Sequence, residues 1–568
     1  MLYSKLAKLY HELSSTPKRL EKIDILSKFL ELLSERDSNI LYLLEGNIYP
    51  DYDERKIGIS NQLAIKALSK STGTPSKKVQ ELWKKMGDLG EVAEKITQTK
   101  KQTTLASQTL TTKKVIENLR KLPELVGKGT IDKKISLITE LLTSATPQEA
   151  LYLTRTLIGD LRIGVQESTI KYAMLKAFFK DNKEYEETLQ RAIDRTNDLE
   201  EVFKIAQKGK IKELEKLKLR VGKPIKAMLA QKAESIEQGF KSLGTPLAVE
   251  YKYDGFRLLI HKDKDKVILF TRRLENVTNQ FPEVAEYVKE YIKGESFILD
   301  SEAVGYDKKT KKYTDFQAIS QRIRRKYNID KLRSSLPVEV NVFDILYYNG
   351  KSQLDEPFEK RTELIRKILT PKPYKIIASK MIITSDKKEV EKFYKAALKE
   401  NQEGVMLKNL KAEYKPGRRV GHMLKIKPDQ RDFDLVITGA EWGTGKRKGW
   451  LSSFILSCKK NSEYLEIGKT STGLKEKKES GLSYEQLTEL LKPLIEKEEG
   501  RIVRIKPKII VAVTYQEIQK SPNYKSGLAL RFPRFVALRE DKPLKEITTL
   551  GEIEEEFDNQ KKENYAYG

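Results

Sequence analysis

The sequence predicts a multidomain protein: an all-α region over residues 1–217, an α+β region over 218–428, and a small β-barrel with a closing helix over 429–568. Three observations point there. At 568 residues the chain is too long for one compact core. Apolar residues recur at helical spacing as far as about Lys216 and at a period of two beyond Arg220. From Phe433 onward, short strand-like runs alternate with glycine-rich turns.

In the first region Leu26, Phe29, Leu30 and Leu33 would line one face of one helix. Thr146-Pro147-Gln148-Glu149 marks a helix start, with Thr146 as cap, Pro147 in the first turn and Glu149 completing a capping box. Residues 97–112, rich in Lys, Thr, Gln and Ser, read as an exposed loop. Val221-Gly222-Lys223-Pro224 then breaks the helical pattern. Val249–Tyr253 and Leu258–His261 read as strands, Lys262–Lys266 as a charged turn, and Val267–Thr271 as the returning strand. A helix is expected over Lys388–Glu400. In the last region Gly443-Thr444-Gly445, Gly468 and Gly473 mark turns, one helix is expected over Ser483–Lys497, and the acidic stretch Leu544–Glu563 reads as a closing helix. Internal repeats are not evident.

A net charge of +26 with 33% charged residues favours a polyanionic partner, nucleic acid first. A Lys/Glu-rich solvated surface of the heat-adapted kind is the competing source of that excess. The single cysteine, Cys458, excludes a disulfide framework and a Cys-rich zinc module; following Phe454, Ile455 and Leu456, it reads as a core residue. No apolar run has the length of a membrane span and the start does not read as a signal peptide, so an intracellular, cytoplasmic protein is expected.

The sharpest chemical signal is Glu250-Tyr251-Lys252-Tyr253-Asp254-Gly255-Phe256-Arg257, a lysine held in a strand and followed by a glycine turn and an arginine. An amine attacks phosphorus only when unprotonated, and a neighbouring cation such as Arg257 would favour the neutral form and orient a phosphate. A surface lysine on an edge strand is the competing reading, and one tetrapeptide does not decide between them.

Further motifs follow in a fixed order: Thr271-Arg272-Arg273-Leu274-Glu275-Asn276, Asp300-Ser301-Glu302, Phe343-Asp344-Ile345-Leu346-Tyr347, Glu403-Gly404-Val405-Met406, Leu424-Lys425-Ile426-Lys427, and Arg531-Phe532-Pro533-Arg534-Phe535 leading into Arg539-Glu540-Asp541-Lys542. With Lys252-Tyr253-Asp254-Gly255 they resemble the covalent nucleotidyltransferase superfamily, and within it the ATP-dependent DNA ligases of the archaeal and eukaryotic replicative type. Leu161–Glu167 resembles a signature of that family's helical DNA-binding domain, and Gly222–Ala230 the entry to its adenylation domain. The resemblance runs end to end apart from the loop near residue 100. It implies a helical DNA-binding domain, an adenylation domain and an OB-fold barrel.

The resemblance also implies roles. Lys252 would carry AMP as a phosphoramidate before passing it to a DNA 5′-phosphate. Lys425, Lys427, Arg531, Arg534 and Lys542, with Asp541 in the same motif, would stabilise the charge of departing pyrophosphate. Glu302 and Glu403 offer hard oxygens to magnesium, or manganese in its place. Phe343 would stack on adenine and Glu250 would contact its edge. Arg257, Arg272 and Arg419 would bind ribose and phosphate. Met423 stands where the family often has Trp, replacing an aromatic by a polarizable side chain.

The implied partner is nicked duplex DNA, gripped through phosphates by a monomer in replication, repair and recombination. Gly443–Gly449 is a candidate DNA contact, with a solvated basic turn as its bland reading. A sliding clamp could dock on Gln102-Thr103-Thr104-Leu105, although the aromatic pair of such a peptide is missing. An RNA-capping guanylyltransferase or RNA ligase shares the lysine motif but would lack the helical signature. NAD-dependent ligases normally carry a four-cysteine zinc module, which one cysteine cannot supply. A DNA-binding scaffold with a decayed site would have lost reactive residues that are all present here.

Overall fold

The computed structural model describes residues 1–99, 109–127, 129–314, 319–320, 322–323, 325, 327, 329–428, 432–476 and 482–566, with backbone alone at 446 and 561–566. The clamp-peptide expectation at Gln102–Leu105 lies outside the described residues. The chain forms two compact units, Met1–Ser60 with Ala106–Pro428, and Asn61–Leu105 with Asp429–Gly568. Helices Asn61–Thr72, Ser76–Met86 and Leu89–Gln98 thus group with the C-terminal residues, although no local pattern sets them apart from the helices around them.

In the first unit, helix Tyr3–Ser15 packs on Pro147–Leu157, and Arg19–Leu32 packs on Glu167–Phe179. The expected stripe is buried at Leu26, Leu30 and Leu33 and half-buried at Phe29. The capping box forms as read: the Thr146 N–H donates to Glu149 at 2.8 Å and the Glu149 N–H donates to Thr146 Oγ1 at 3.3 Å. The loop expected over 97–112 is shorter at both ends, because one helix runs to Gln98 and Thr111 caps another that starts at Thr112.

The middle of the chain carries β1 (Gln231–Lys232), β2 (Leu247–Lys252), β3 (Phe256–Asp263), β4 (Lys266–Thr271), β5 (Ser296–Gly305), β6 (Val338–Tyr348), β7 (Lys351–Ser352), β8 (Ile376–Ala378), β9 (Met381–Thr384), β10 (Gly404–Lys408) and β11 (Met423–Ile426). They form two sheets, β1-β11-β10-β2-β9 and β4-β3-β5-β6-β7, with β8 added beside β6. Helix Lys387–Lys399 buries Val390 and Ala397 against the first sheet's core of Val249, Val405 and Leu407. The second sheet closes over Leu258, Leu299 and Val340. Because β2 belongs to one sheet and β3 to the other, the turn Tyr253–Gly255 is the crossing point between them. This crossing puts Lys252 at the end of a strand.

In the second unit, β12 (Phe433–Trp442), β13 (Leu451–Lys460) and β14 (Glu463–Thr470) form a meander. The sheet continues through β15 (Ile495–Glu499), β16 (Ile502–Ile505), β17 (Ile510–Thr514) and β20 (Arg534–Leu538), while β18 (Glu517–Lys520) pairs with β19 (Leu528–Arg531). This is the β-rich domain expected as the OB-fold barrel. Its core includes Phe454, Leu456, Val503 and the buried Cys458, whose thiol burial pushes up to about 11.

The helix expected over Ser483–Lys497 is cut short: it spans Tyr484–Leu491, and Ile495–Glu499 is strand β15. Pro493 cannot continue a helix, and the charged run that looked helical sits on an edge strand, where exposed charge blocks further pairing. The closing helix begins at Leu550, after a short 3-10 turn at Leu544–Glu546.

Candidate active site

The site forms where β2, β10 and β11 lie side by side. In the β2–β10 pairing Lys252 stands opposite Gly404 and Glu250 opposite Met406, and in the β10–β11 pairing Met406 faces Lys425. Period-two alternation therefore puts Glu250 and Lys252 on one face of β2, with positions 404, 406 and 408 on the same face of β10. Gly404 permits this closeness, and Gly255, in the turn after β2, permits a similar approach to β5 in the other sheet. Gly404 has φ +139°, and a Cβ on it would lie 2.2 Å from the Ile426 carbonyl oxygen; at Gly255 a Cβ would lie 2.4 Å from the Ala303 carbonyl oxygen.

One carboxylate organises the lysines. Lys252 Nζ lies 2.7 Å from Glu403 Oε2, and Lys427 pairs with the same oxygen. Burial works against the charged form of Glu403, but Lys252 and Lys427 outweigh it and hold the carboxyl below its ordinary range. Lys425 is pushed down, first by burial and then by Lys427 and Lys252. Arg419, exposed in the loop that leads into β11, contributes to the same crowding. Glu302, opposite Arg257 in the β3–β5 pairing, moves the other way. Burial, reinforced by Glu403 and Asp300, raises it to about 8, against the pull of Lys252.

The cation expected to crowd Lys252 was Arg257, and its guanidinium is engaged elsewhere. It donates to both oxygens of Asp300, at 2.5 and 2.6 Å, and to the Tyr414 hydroxyl at 3.0 Å. Tyr414 in turn donates to Asp300 at 2.9 Å and accepts from the Met228 N–H at 3.1 Å. The crowding around Lys252 comes from Lys425 and Lys427. Glu250 is buried in an ion pair with Lys408, and the Lys408 ammonium lies 4.9 Å from the centre of the half-buried Phe343 ring. Next to Phe343, Asp344 is held by Arg361 at 2.7 and 3.1 Å.

Arg272 is exposed just past β4. The remaining expected residues belong to the second unit. There Arg531 pairs with Glu517 at 2.9 Å, Arg534 is exposed on β20, Asp541 pairs with Arg539 at 2.8 Å and Lys542 with Asp434 at 2.5 Å. Arg447, within Gly443–Gly449, stacks over Tyr484 at 4.1 Å.

Sequence reasoning missed Lys408 and Tyr414. A signal for Lys408 existed, since the strand that starts at Gly404 points its even-numbered residues toward Glu250 and Lys252. Tyr414 lies in an irregular loop and has no local signature. A cavity of about 190 Å³ in the helical region, lined by residues 46–51, 53, 55–59 and 156–159, includes none of the expected site residues.

Comparison with known proteins gives the family of the chain. Residues 2–175 match the model of the DNA ligase N terminus, 227–427 that of the ATP dependent DNA ligase domain, and 447–542 that of the ATP dependent DNA ligase C terminal region. The DNA ligase of Nanoarchaeum equitans is 44% identical over 565 residues, covering 99% of both chains. Those of Thermococcus fumicolans and Archaeoglobus fulgidus are 40% and 39% identical, each over 98% of both chains. A solved structure described as "Pmar-Lig_PreS3" shares the fold with a TM-score of 0.57 at 19% identity, over 94% of this chain and 99% of that one. Three matched regions in order, and full-length relatives at this identity, show that the chain belongs to the family of ATP-dependent DNA ligases.

Proposed function

We propose that the chain seals nicks in duplex DNA with Lys252 as the covalent carrier of AMP. The neutral amine of Lys252 attacks the α-phosphorus of ATP, the bond to the β-phosphate oxygen breaks, pyrophosphate leaves, and the nitrogen releases a proton to solvent. A 5′-phosphate oxygen at the nick then attacks the same phosphorus, breaking the phosphorus–nitrogen bond and returning the electron pair to Lys252. The adjacent 3′-hydroxyl, losing its proton, attacks the activated 5′-phosphate, and AMP departs.

The observation that carries this reading is the Lys252–Glu403 pair at 2.7 Å, with Lys427 on the same carboxylate and Lys425 beside them. For attack that pair must open, because a charged ammonium has no lone pair. The two further cations, Lys425 and Lys427, are suited to the departing pyrophosphate. Phe343 and Glu250 serve the base, Arg419 and Arg272 the phosphates, and Arg531, Arg534 and Lys542, with Asp541, act from the barrel. Arg257 is left out of these ligand contacts, because its guanidinium is bound to Asp300 and Tyr414.

Among the described residues no group of three or more His, Cys, Asp or Glu side chains is placed to hold a metal. Magnesium suits such a site, since it takes one or two carboxylates and completes its shell with phosphate and water. Glu302 and Glu403 would hold it, and the half-buried Glu302 carboxyl, raised to about 8, is the kind of group a divalent cation keeps ionised. When bound, the metal would neutralise charge on the phosphate oxygens.

Intact-protein mass spectrometry after mixing with ATP and magnesium tests the reading. The wild type should gain one AMP, and Lys252→Ala should gain none. An AMP adduct on the Ala variant removes the proposal.

A further inference from the structure

Lys408 is 5% exposed and was not anticipated at the site. Its ammonium pairs with Glu250, itself 2% exposed, and lies 4.9 Å from the ring of Phe343 and 4.5 Å from that of Phe358. One buried cation thus touches both residues assigned to the base. A lysine this deep is expensive unless its charge is matched, and Glu250 matches it. The charge states matter for recognition. An ionised carboxylate only accepts hydrogen bonds, whereas a protonated one also donates.

We propose that Lys408 is a specificity-positioning residue: it holds Glu250 as an acceptor-only carboxylate, so that the base pocket selects a purine with an exocyclic 6-amino group and rejects one with a 6-keto oxygen. The inference rests on the reading that Glu250 meets the base edge. A keto oxygen facing a carboxylate leaves two acceptors in contact with no proton between them, and sites that reject by leaving a buried polar group unpaired discriminate strongly.

The groups facing Glu250 are Lys408 from β10, Asp344 from β6 and Arg366 from helix Phe358–Ile368. Burial is the largest influence and raises the carboxyl; Lys408 is the first opposing one, Asp344 raises it further and Arg366 lowers it. The balance leaves the carboxyl above its ordinary range even with Lys408 present, so without that cation it would take up a proton more readily and become a donor.

The test measures self-adenylation of the full chain with ATP and with ITP, which carries the 6-keto group, following the AMP and IMP adducts by mass. Lys408→Met should raise KM for ATP by about 10–100-fold, the worth of a hydrogen bond to a charged group, with kcat changed much less. The preference for ATP over ITP should fall by a similar factor and recover as pH rises, because Glu250 ionises again. Lys408→Arg should keep the wild-type preference. Glu250→Gln should lose it at every pH, since an amide has no ionised form to recover. Should Lys408→Met not fold, as judged by its thermal transition, Lys408→Gln carries the same expectations with a polar replacement.

Two outcomes overturn the inference and differ in what they leave standing. If Glu250→Gln loses the preference while Lys408→Met keeps it at all pH values, Lys408 has no part in selection and the Glu250 reading survives. If neither variant alters it, the Glu250 reading falls and the inference with it.

Discussion

Two charged clusters in the first unit are built on opposite principles. Around Glu403, Lys252 and Lys427 share one carboxylate oxygen while Lys425 stands by, and both pairing lysines remain partly open at 22% and 28%. Around Asp300, by contrast, Arg257 is matched oxygen for nitrogen, Tyr414 closes the third side, and both charged partners are nearly sealed from solvent. The first cluster has more cations than it needs for its own stability; the second has none to spare. Surplus charge that stays accessible is what a polyanionic substrate can use, while balanced charge in a dry interior fixes geometry. The Arg361–Asp344 pair, 1% and 3% exposed, belongs to the second kind.

The largest departure should come from unbalancing the sealed cluster. Asp300→Asn leaves the Arg257 guanidinium buried without a counter-charge, and removing one partner of such a pair costs about 3–5 kcal/mol. Urea unfolding of the variant should show that loss, with adenylation falling largely because the folded population falls. An unchanged midpoint would mean that Asp300 is not structural in the sense drawn here.

The converse change is made in the open cluster. Lys427→Ala removes a cation whose pair with Glu403 is partly solvated, so stability should move by no more than about 1 kcal/mol. Self-adenylation should nevertheless slow by roughly 10²-fold, the usual cost of deleting a charge that stabilises a transition state. If the unfolding midpoint drops as far as for Asp300→Asn while single-turnover adenylation holds, the two clusters are alike and the contrast is lost.

How much of this was legible in the sequence follows from the same contrast. The helical, mixed and β-rich regions were readable because apolar period reports which face is buried, and the Thr146 capping box is a purely local device. Lys252, Glu403 and Lys427 were readable from their order along the chain. Their shared carboxylate was not, because it depends on β2, β10 and β11 becoming neighbours across more than 150 residues of sequence. The Arg257 commitment to Asp300 and Tyr414 is hidden for the same reason, and an arginine looks identical in sequence whether it faces a ligand or a buried aspartate. Residues 61–98 show the limit at domain scale: their helices have ordinary amphipathic patterns, and nothing local groups them with the C-terminal residues. Ile495–Glu499 failed differently, since charge on an edge strand mimics charge on a helix.

Glu302 supplies the finest test, because it belongs to neither extreme: a half-buried carboxyl at the open cluster, raised in the folded form to about 8. In the unfolded chain it ionises at the ordinary carboxylate value of 4.5. Between those two values the folded state holds a proton that the unfolded state has released, so this group's contribution to stability is full below 4.5 and is lost as pH rises through about 8. In metal-free protein the melting temperature of the wild type should therefore decline across that window more steeply than that of Glu302→Gln, whose amide never ionises. Magnesium should reverse the cost by stabilising the ionised form, so the magnesium needed for half-maximal adenylation should fall as pH rises toward about 8. Parallel melting curves for the two proteins would show that Glu302 is already matched by its neighbours, and the open cluster would then be as balanced as the sealed one.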